Sequence, residues 1–181
     1  METEKCILSR RSVRRFTDEP VTREELEKLV NVAAYAPSWK NTQISRYIAI
    51  TDAAEKAYIA ENFFSGWAGN VEIVKSASAL IVQAFMKNRC GYNRDGTLAT
   101  ERGEGWQYYD CGIAAQTFCL AANDMGLGTV ILGIFDREKL QDYLKLPEDR
   151  EIMALIAIGH SAQGDLVAPK RKTADDLLTV I

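Results

Sequence analysis

The chain has 181 residues, 47% hydrophobic and 26% charged, with a formal net charge of −3 and a pI near 5.3. This is ordinary for one globular domain over 1–181 burying roughly 70% of its unfolded surface, and its mild acidity argues against a nucleic-acid partner. The N-terminus lacks the apolar centre of a signal peptide and no apolar run approaches the ~18 residues of a membrane span, so the expectation is a cytoplasmic protein with no membrane partner.

Residues 3–11 read as a short helix carrying Cys6, Ile7 and Leu8. It ends in Arg10-Arg11-Ser12-Val13-Arg14-Arg15-Phe16, four guanidinium groups and a hydroxyl within six positions. Such a cluster calls for an anion, because bidentate guanidinium bonds, a serine hydroxyl and helix-end amides together hold a phosphate dianion. The plainer alternatives are a solvated basic patch or a dock for an acidic partner.

Thr22-Arg23-Glu24-Glu25 is a capping box, and Leu26, Leu29, Val30, Ala33 and Ala34 recur at the helical period, predicting an amphipathic helix over 22–36. Pro37 stops it. Pro37-Ser38-Trp39-Lys40-Asn41-Thr42-Gln43 then reads as a polar loop whose Ser38, Asn41 and Gln43 suit the hydrogen-bonding edge of a planar heterocycle, or as a simple helix stop.

Strands are predicted over 46–51, 79–85, 129–132 and 152–158, and 79–85 is apolar enough to be central in a sheet covered on both faces. Asp52 and Asp136 are helix caps, with helices to about Phe64 and through Leu144. The piece holding Trp67 and Asn70 shows no clear pattern, and Trp67 reads as core. Residues 87–106, with four glycines and mixed charge, form a loop long enough to be an active-site lid or a disordered insertion. In the first case Tyr92, Trp106, Tyr108 or Tyr109 would line the site.

A buried helix is expected from Asp110 to about Met125, because small and apolar residues go round most of its circumference. Cys111 and Cys119 lie on it as packing residues. Cys6, Cys90, Cys111 and Cys119 form no C-x-x-C pair and the lone His160 has no cysteine nearby, so no zinc site is expected and the thiols read as reduced. His160 reads as structural. Gly126-Leu127-Gly128 caps the helix. Gly133, ending the next strand, would let backbone approach a ring, although the glycines precede a strand and do not match a dinucleotide-binding fingerprint. A second basic run, Lys170-Arg171-Lys172, precedes an apolar end. The order of elements is that of an α+β or α/β sandwich.

Four stretches together, R-R-S-V-R near 10, A-P-S-x-x-N-x-Q near 40, G-L-G-T-V-I-L-G-I-F-D near 130 and the closing basic run, resemble the FMN-dependent nitroreductase family over residues 8–172. The resemblance implies an α+β, three-layer sandwich with a central, mostly antiparallel sheet. It implies an intertwined homodimer with FMN at the interface and ping-pong transfer from NADH or NADPH to an electron-poor acceptor such as a nitroaromatic or quinone. Arg10, Ser12 and Arg171, with Arg11 beside them, match phosphate-holding positions, and Arg14 matches a basic position near the ribityl chain and pyrimidine edge. Pro37, Ser38, Trp39 and Asn41 match a loop contacting the partner's flavin, with Gln43 of the same motif a further candidate for cofactor binding. Ile131, Leu132 and Gly133 match a backbone segment beside the ring, and Asn70 more loosely matches a ring-contacting asparagine. The family's Q-P-W is Gln43-Ile44-Ser45 here, a frequent lysine is Ile73, and an acidic or glycine pair is Gly133-Ile134. Dehalogenation, enone reduction, flavin breakdown and flavin binding without turnover are alternatives on the same scaffold.

Overall fold

The segment marked as central by its unbroken apolar run is central. Strands β1 (Ser45–Ile50), β2 (Ala79–Met86), β3 (Gly128–Leu132) and β4 (Arg150–Gly159) form one sheet in the order β1-β2-β4-β3, every neighbouring pair antiparallel. This computed structural model describes residues 2–64 and 68–181, so Trp67 lies outside the described residues.

Side-chain alternation along the two inner strands builds two cores. Leu80 and Val82 of β2 join Leu155 and Ala157 of β4 against Ile59 and Phe63 of α3 (Ala53–Phe63), Val74 of α4 (Ala68–Ser76) and Leu140 of α6 (Arg137–Tyr143). Ala79, Ile81, Ile156 and Ile158 point the other way. They meet Leu26 and Leu29 of α2 (Arg23–Ala33) and Ala115, Phe118 and Ala122 of α5 (Gly105–Asp124). The result is the expected three layers, each buried Leu or Ile contributing about 1.5–3 kcal/mol.

Local chemistry sets the ends of these elements. Thr22 and Glu25 form the capping box on α2, Asp52 Oδ1 accepts from the Glu55 amide at 2.8 Å, and Asp136 Oδ1 accepts from the Lys139 amide at 3.2 Å. Two boundaries differ from the sequence reading. Residues 68–76 are helical although Val71, Ile73 and Val74 are irregularly spaced, because packing of Ile73 and Val74 in the core overrides weak local preference. Helix α5 starts at Gly105, and Asp110 is a buried residue inside it rather than its cap.

Residues 87–104 are neither helix nor structureless. A Tyr92–Leu98 bridge and the Asn93 amide donating to the Thr97 carbonyl at 2.8 Å make a small hairpin. At Gly91 (φ +82°) a Cβ would lie 2.4 Å from the Gly103 carbonyl oxygen, so only glycine fits.

The chain after α1 (Thr3–Ser9) is sewn onto the sheet as a strap. The Val13 amide donates to the Thr129 carbonyl at 3.0 Å, the Thr17 amide to the His160 carbonyl at 2.9 Å, and the Ala162 amide to the Arg15 carbonyl at 3.0 Å. Val13 and Phe16 point inward and are buried, while Arg14 and Arg15 point out. The approach is close enough that a Cβ on Gly128 would lie 2.6 Å from Val13 Cγ2, and one on Gly159 2.9 Å from Phe16 Cδ1.

Gly128→Ala therefore forces the strap off β3 and is expected to destabilise by about 1–3 kcal/mol. Val13→Ala in the same chain should return part of that loss. Urea unfolding of the single and double variants measures both; a Gly128→Ala protein as stable as the parent contradicts the close approach.

Candidate cofactor-binding site

The strap presents its arginines beside the start of β3. Arg10, Arg11 and Val13 line a cavity of about 330 Å³ with Asn123, Gly128 and Thr129, closed on the far side by Gln163–Leu166. Arg11 Nη1 donates to the Leu8 carbonyl at 2.6 Å and the Arg10 carbonyl at 2.9 Å, which folds the side chain back over the helix end. Its Nε is buried with no partner. Arg10 is half-buried and forms no ion pair among the described residues, and Ser12 pairs its backbone with Thr129. A buried guanidinium N–H without an acceptor, Arg11 Nε, next to a glycine-lined backbone, fits an oxyanion such as phosphate.

Arg14 is exposed. Its amide donates to Gln163 Oε1 at 2.7 Å and its Nη1 to the Ser12 carbonyl at 3.2 Å. Gln163 thus holds the strap from the far side, a contact that nothing in the local sequence announces. Further along β3, Leu132 is buried in the core, while Ile131 is 47% exposed and Gly133 is open. A ring beside this segment would therefore meet backbone and the Ile131 side chain, not Leu132. Asn70 sits half-buried on α4.

The second group of residues is built elsewhere. In the loop after α2, Lys40 (φ 46°), Asn41 (φ 56°) and Gln43 (φ 46°) are left-handed, a conformation costing of order 1–3 kcal/mol at each non-glycine residue. The Gln43 amide donates to Ser38 Oγ at 3.1 Å, Gln43 Nε2 donates to Asn41 Oδ1 at 3.1 Å, and the Trp39 ring packs on Trp106 at 5.0 Å. The fixed point is Asp110. Its buried Oδ2 accepts from the Trp39 amide at 2.9 Å and from the Cys90 thiol at 3.0 Å, tying loop 37–43, hairpin 87–104 and α5 to one oxygen.

Pro37, Ser38 and Gln43 line an apolar groove of about 380 Å³ with Val30, Tyr47 and Ala114, a different groove from the arginine cavity. Arg171 lies in an exposed tail, its Nη1 donating to the Pro169 carbonyl at 2.9 Å. One chain brings Arg10, Arg11 and Ser12 to the β3 edge and, separately, groups the loop residues over α5.

Burial also sets the acidities near Asp110. Desolvation first, and then the hydrogen bond to the Asp110 carboxylate, push the Cys90 thiol up. Desolvation raises Cys111 to about 12 and the Tyr47 hydroxyl to about 12.

The arrangement is an α+β sandwich with an arginine-lined cavity on one sheet edge and a polar loop over an interior helix. The chain matches the nitroreductase family over residues 7–160 and belongs to it. It is 29% identical over 176 residues to an NADPH-flavin oxidoreductase of Vibrio harveyi, covering 93% of this chain and 69% of that one. It is 29% identical over 178 residues to an FMN reductase of Bacillus subtilis, covering 93% and 70%. A structure from Desulfovibrio desulfuricans solved in complex with FMN superposes with a TM-score of 0.79 at 28% identity, covering 100% of this chain and 99% of that one.

Two outcomes follow. Asp110→Ala leaves the Trp39 amide and the Cys90 thiol without an acceptor, at a cost of about 1–3 kcal/mol, and hydrogen exchange at the Trp39 amide should accelerate. Because Cys90, Cys111 and Tyr47 hold their protons more tightly folded than unfolded, their contribution is fully present below about pH 9. It falls as pH rises from there toward 12, by up to about 1.4 kcal/mol per pH unit for each group. Urea unfolding at pH 7 through 10.5 should show that alkaline decline; a flat profile contradicts it.

Proposed function

We propose that the chain is an FMN-dependent oxidoreductase passing hydride or electrons from NAD(P)H through bound FMN to an electron-poor acceptor, a nitroaromatic or quinone, by a ping-pong mechanism. The observation that carries this reading is the strap-held arginine pair, with the buried Arg11 Nε lacking an acceptor on a cavity beside β3. The match to the family and the flavin chemistry named for its relatives support it.

Arg10, Arg11 and Ser12 hold the phosphate, joined by Arg171. Arg14, exposed and anchored through its backbone to Gln163, reaches over the ribityl chain and pyrimidine edge, where a cation stabilises the negative charge of the reduced ring. The backbone of Ile131–Gly133 borders the ring, with Asn70 contacting it. When bound, FMN supplies the hydride chemistry itself, so the chain is asked for orientation, charge compensation and exclusion of water rather than a general acid.

The working unit is a homodimer in which Pro37, Ser38, Trp39, Asn41 and Gln43 roof the flavin of the partner. Two features support this. The loop and the arginines line different grooves of one chain. The tail beyond Gly164 carries Val167, Leu177, Leu178 and Val180 at 66–91% exposure, apolar area that finds no cover on its own subunit and suits a second one. The four cysteines are buried and free, which suits the reducing cytoplasm. Among the described residues no helix is long and apolar enough to cross a membrane.

The purified protein should be yellow, and anaerobic NADH or NADPH should bleach it. A yellow protein that neither donor reduces would instead be a binding or sensing module, and a colourless one removes the proposal. Arg14→Ala should slow flavin reduction about tenfold while retaining the cofactor; loss of flavin with normal kinetics in the remainder contradicts the role given to Arg14.

A further inference from the structure

A second, larger cleft of about 840 Å³ lies on the flank of loop 37–43 away from the apolar groove. Lys40, Lys87, Arg89 and Arg94 line it, with Trp39 and Tyr92 as aromatic walls. None of the four cations forms an ion pair among the described residues, and the one lining carboxylate, Asp149, lies 4.0 Å from Arg150 Nε. Four cations against one lining carboxylate, in a chain with net charge −3, give the cleft a positive potential.

The walls are fixed. The Lys87 amide donates to the Asp149 carbonyl at 2.8 Å, and the Asn88 amide to Gln107 Oε1 at 2.7 Å at a left-handed turn (φ 59°). The Tyr92 hydroxyl donates to Glu104 Oε1 at 3.1 Å. Lys40 Nζ lies 5.6 Å from the Trp39 ring centroid, so cation and π-face are offered side by side. The Asp110 oxygen that holds Trp39 also holds Cys90 at the base of the hairpin, so the two sides cannot drift apart independently.

We infer that this cleft binds the phosphoryl group of a nucleotide whose ring reaches the partner's flavin beneath loop 37–43. Guanidinium and ammonium groups match a phosphate dianion, and Trp39 and Tyr92 match an attached heterocycle. The inference rests on the oxidoreductase reading above and adds what that reading leaves open, which substrate carries the anion. Two sources share the chemistry: the 2′-phosphate of NADPH and the 5′-phosphate of free FMN taken as an acceptor.

The test compares kcat/KM for NADPH with NADH, and for free FMN with riboflavin, in the parent and in an Arg89→Ala/Arg94→Ala double variant. The parent should prefer the phosphorylated member of at least one pair about tenfold, the scale of a lost charge-assisted contact. The double variant should lose that preference through KM and leave NADH and riboflavin unchanged. Which pair responds identifies the source. A titration of tryptophan fluorescence with 2′,5′-ADP and with adenosine reads binding without turnover. The nucleotide should saturate, and weaken about tenfold in the variant, while adenosine does not respond.

Equal kinetics within both pairs, or a preference the double variant keeps, overturns the inference. Bleaching by NADH in that case leaves the oxidoreductase reading standing. A colourless protein that binds 2′,5′-ADP in the variant-sensitive way would remove the flavin reading and keep the cleft.

Discussion

Everything at the proposed phosphate site depends on a backbone seam that admits no side chain. The strap from Ser12 to Thr17 lies against β3 and the end of β4 through the Val13–Thr129, Thr17–His160 and Ala162–Arg15 bonds. It comes that close because Gly128 and Gly159 have no Cβ where Val13 and Phe16 sit. Two buried side chains lock the strap's inner face. With Val13 and Phe16 buried, Arg14 and Arg15 between them are left facing outward, while Arg10 and Arg11, at the junction with α1, stay half-buried beside the cavity. A flexible arginine on a loop would lose rotamer freedom on meeting an anion. Here the backbone has lost its freedom during folding, so less ordering remains to oppose binding.

Asp110 plays the corresponding part for the other half of the site. Three left-handed residues between Lys40 and Gln43 make the loop a conformation that the free chain would not keep. A buried carboxylate oxygen accepting from Trp39 and Cys90 supplies the over-determination such strain needs. The same oxygen serves the hairpin carrying Arg89 and Arg94, so the loop, the hairpin and the groove over α5 share one support. The strain and its anchor lie together where the polar edge of a bound ring would be read, as expected when geometry is held for binding rather than stability.

The sequence was legible where the physics is local or periodic. The capping box at Thr22, the aspartate caps at Asp52 and Asp136 and the apolar run of β2 depend on neighbours a few residues away, and they hold. Helix α4 was not legible because its apolar spacing is ambiguous and its helicity comes from the core it packs on. The start of α5 was not legible, since the helix reaches back from Asp110 to Gly105, and only the fold brings Trp39 and Cys90 to Asp110. The cue available beforehand was its place within an otherwise small and apolar stretch. Gln163 at the strap and the cleft lined by both Lys40 and Arg94 join segments far apart in sequence, which no window along the chain can see. The family pattern named the arginines and the loop as site residues and assigned the loop to the partner's flavin, in keeping with the separate grooves they line in one chain.

That separation has an electrostatic corollary. The chain is acidic overall, yet the strap and the cleft beside Trp39 each gather several cations. At physiological ionic strength the reach of such exposed charges is about 8 Å. Each acts on a ligand already in contact with it. A cofactor that stays bound and a substrate that comes and goes need different residence times. Half-buried guanidiniums beside a glycine-lined strand favour the first, and exposed side chains on a rigid hairpin favour the second. In the proposed function, this distribution of positive charge would let one mildly acidic protein hold the cofactor's anion tightly and release a substrate's quickly.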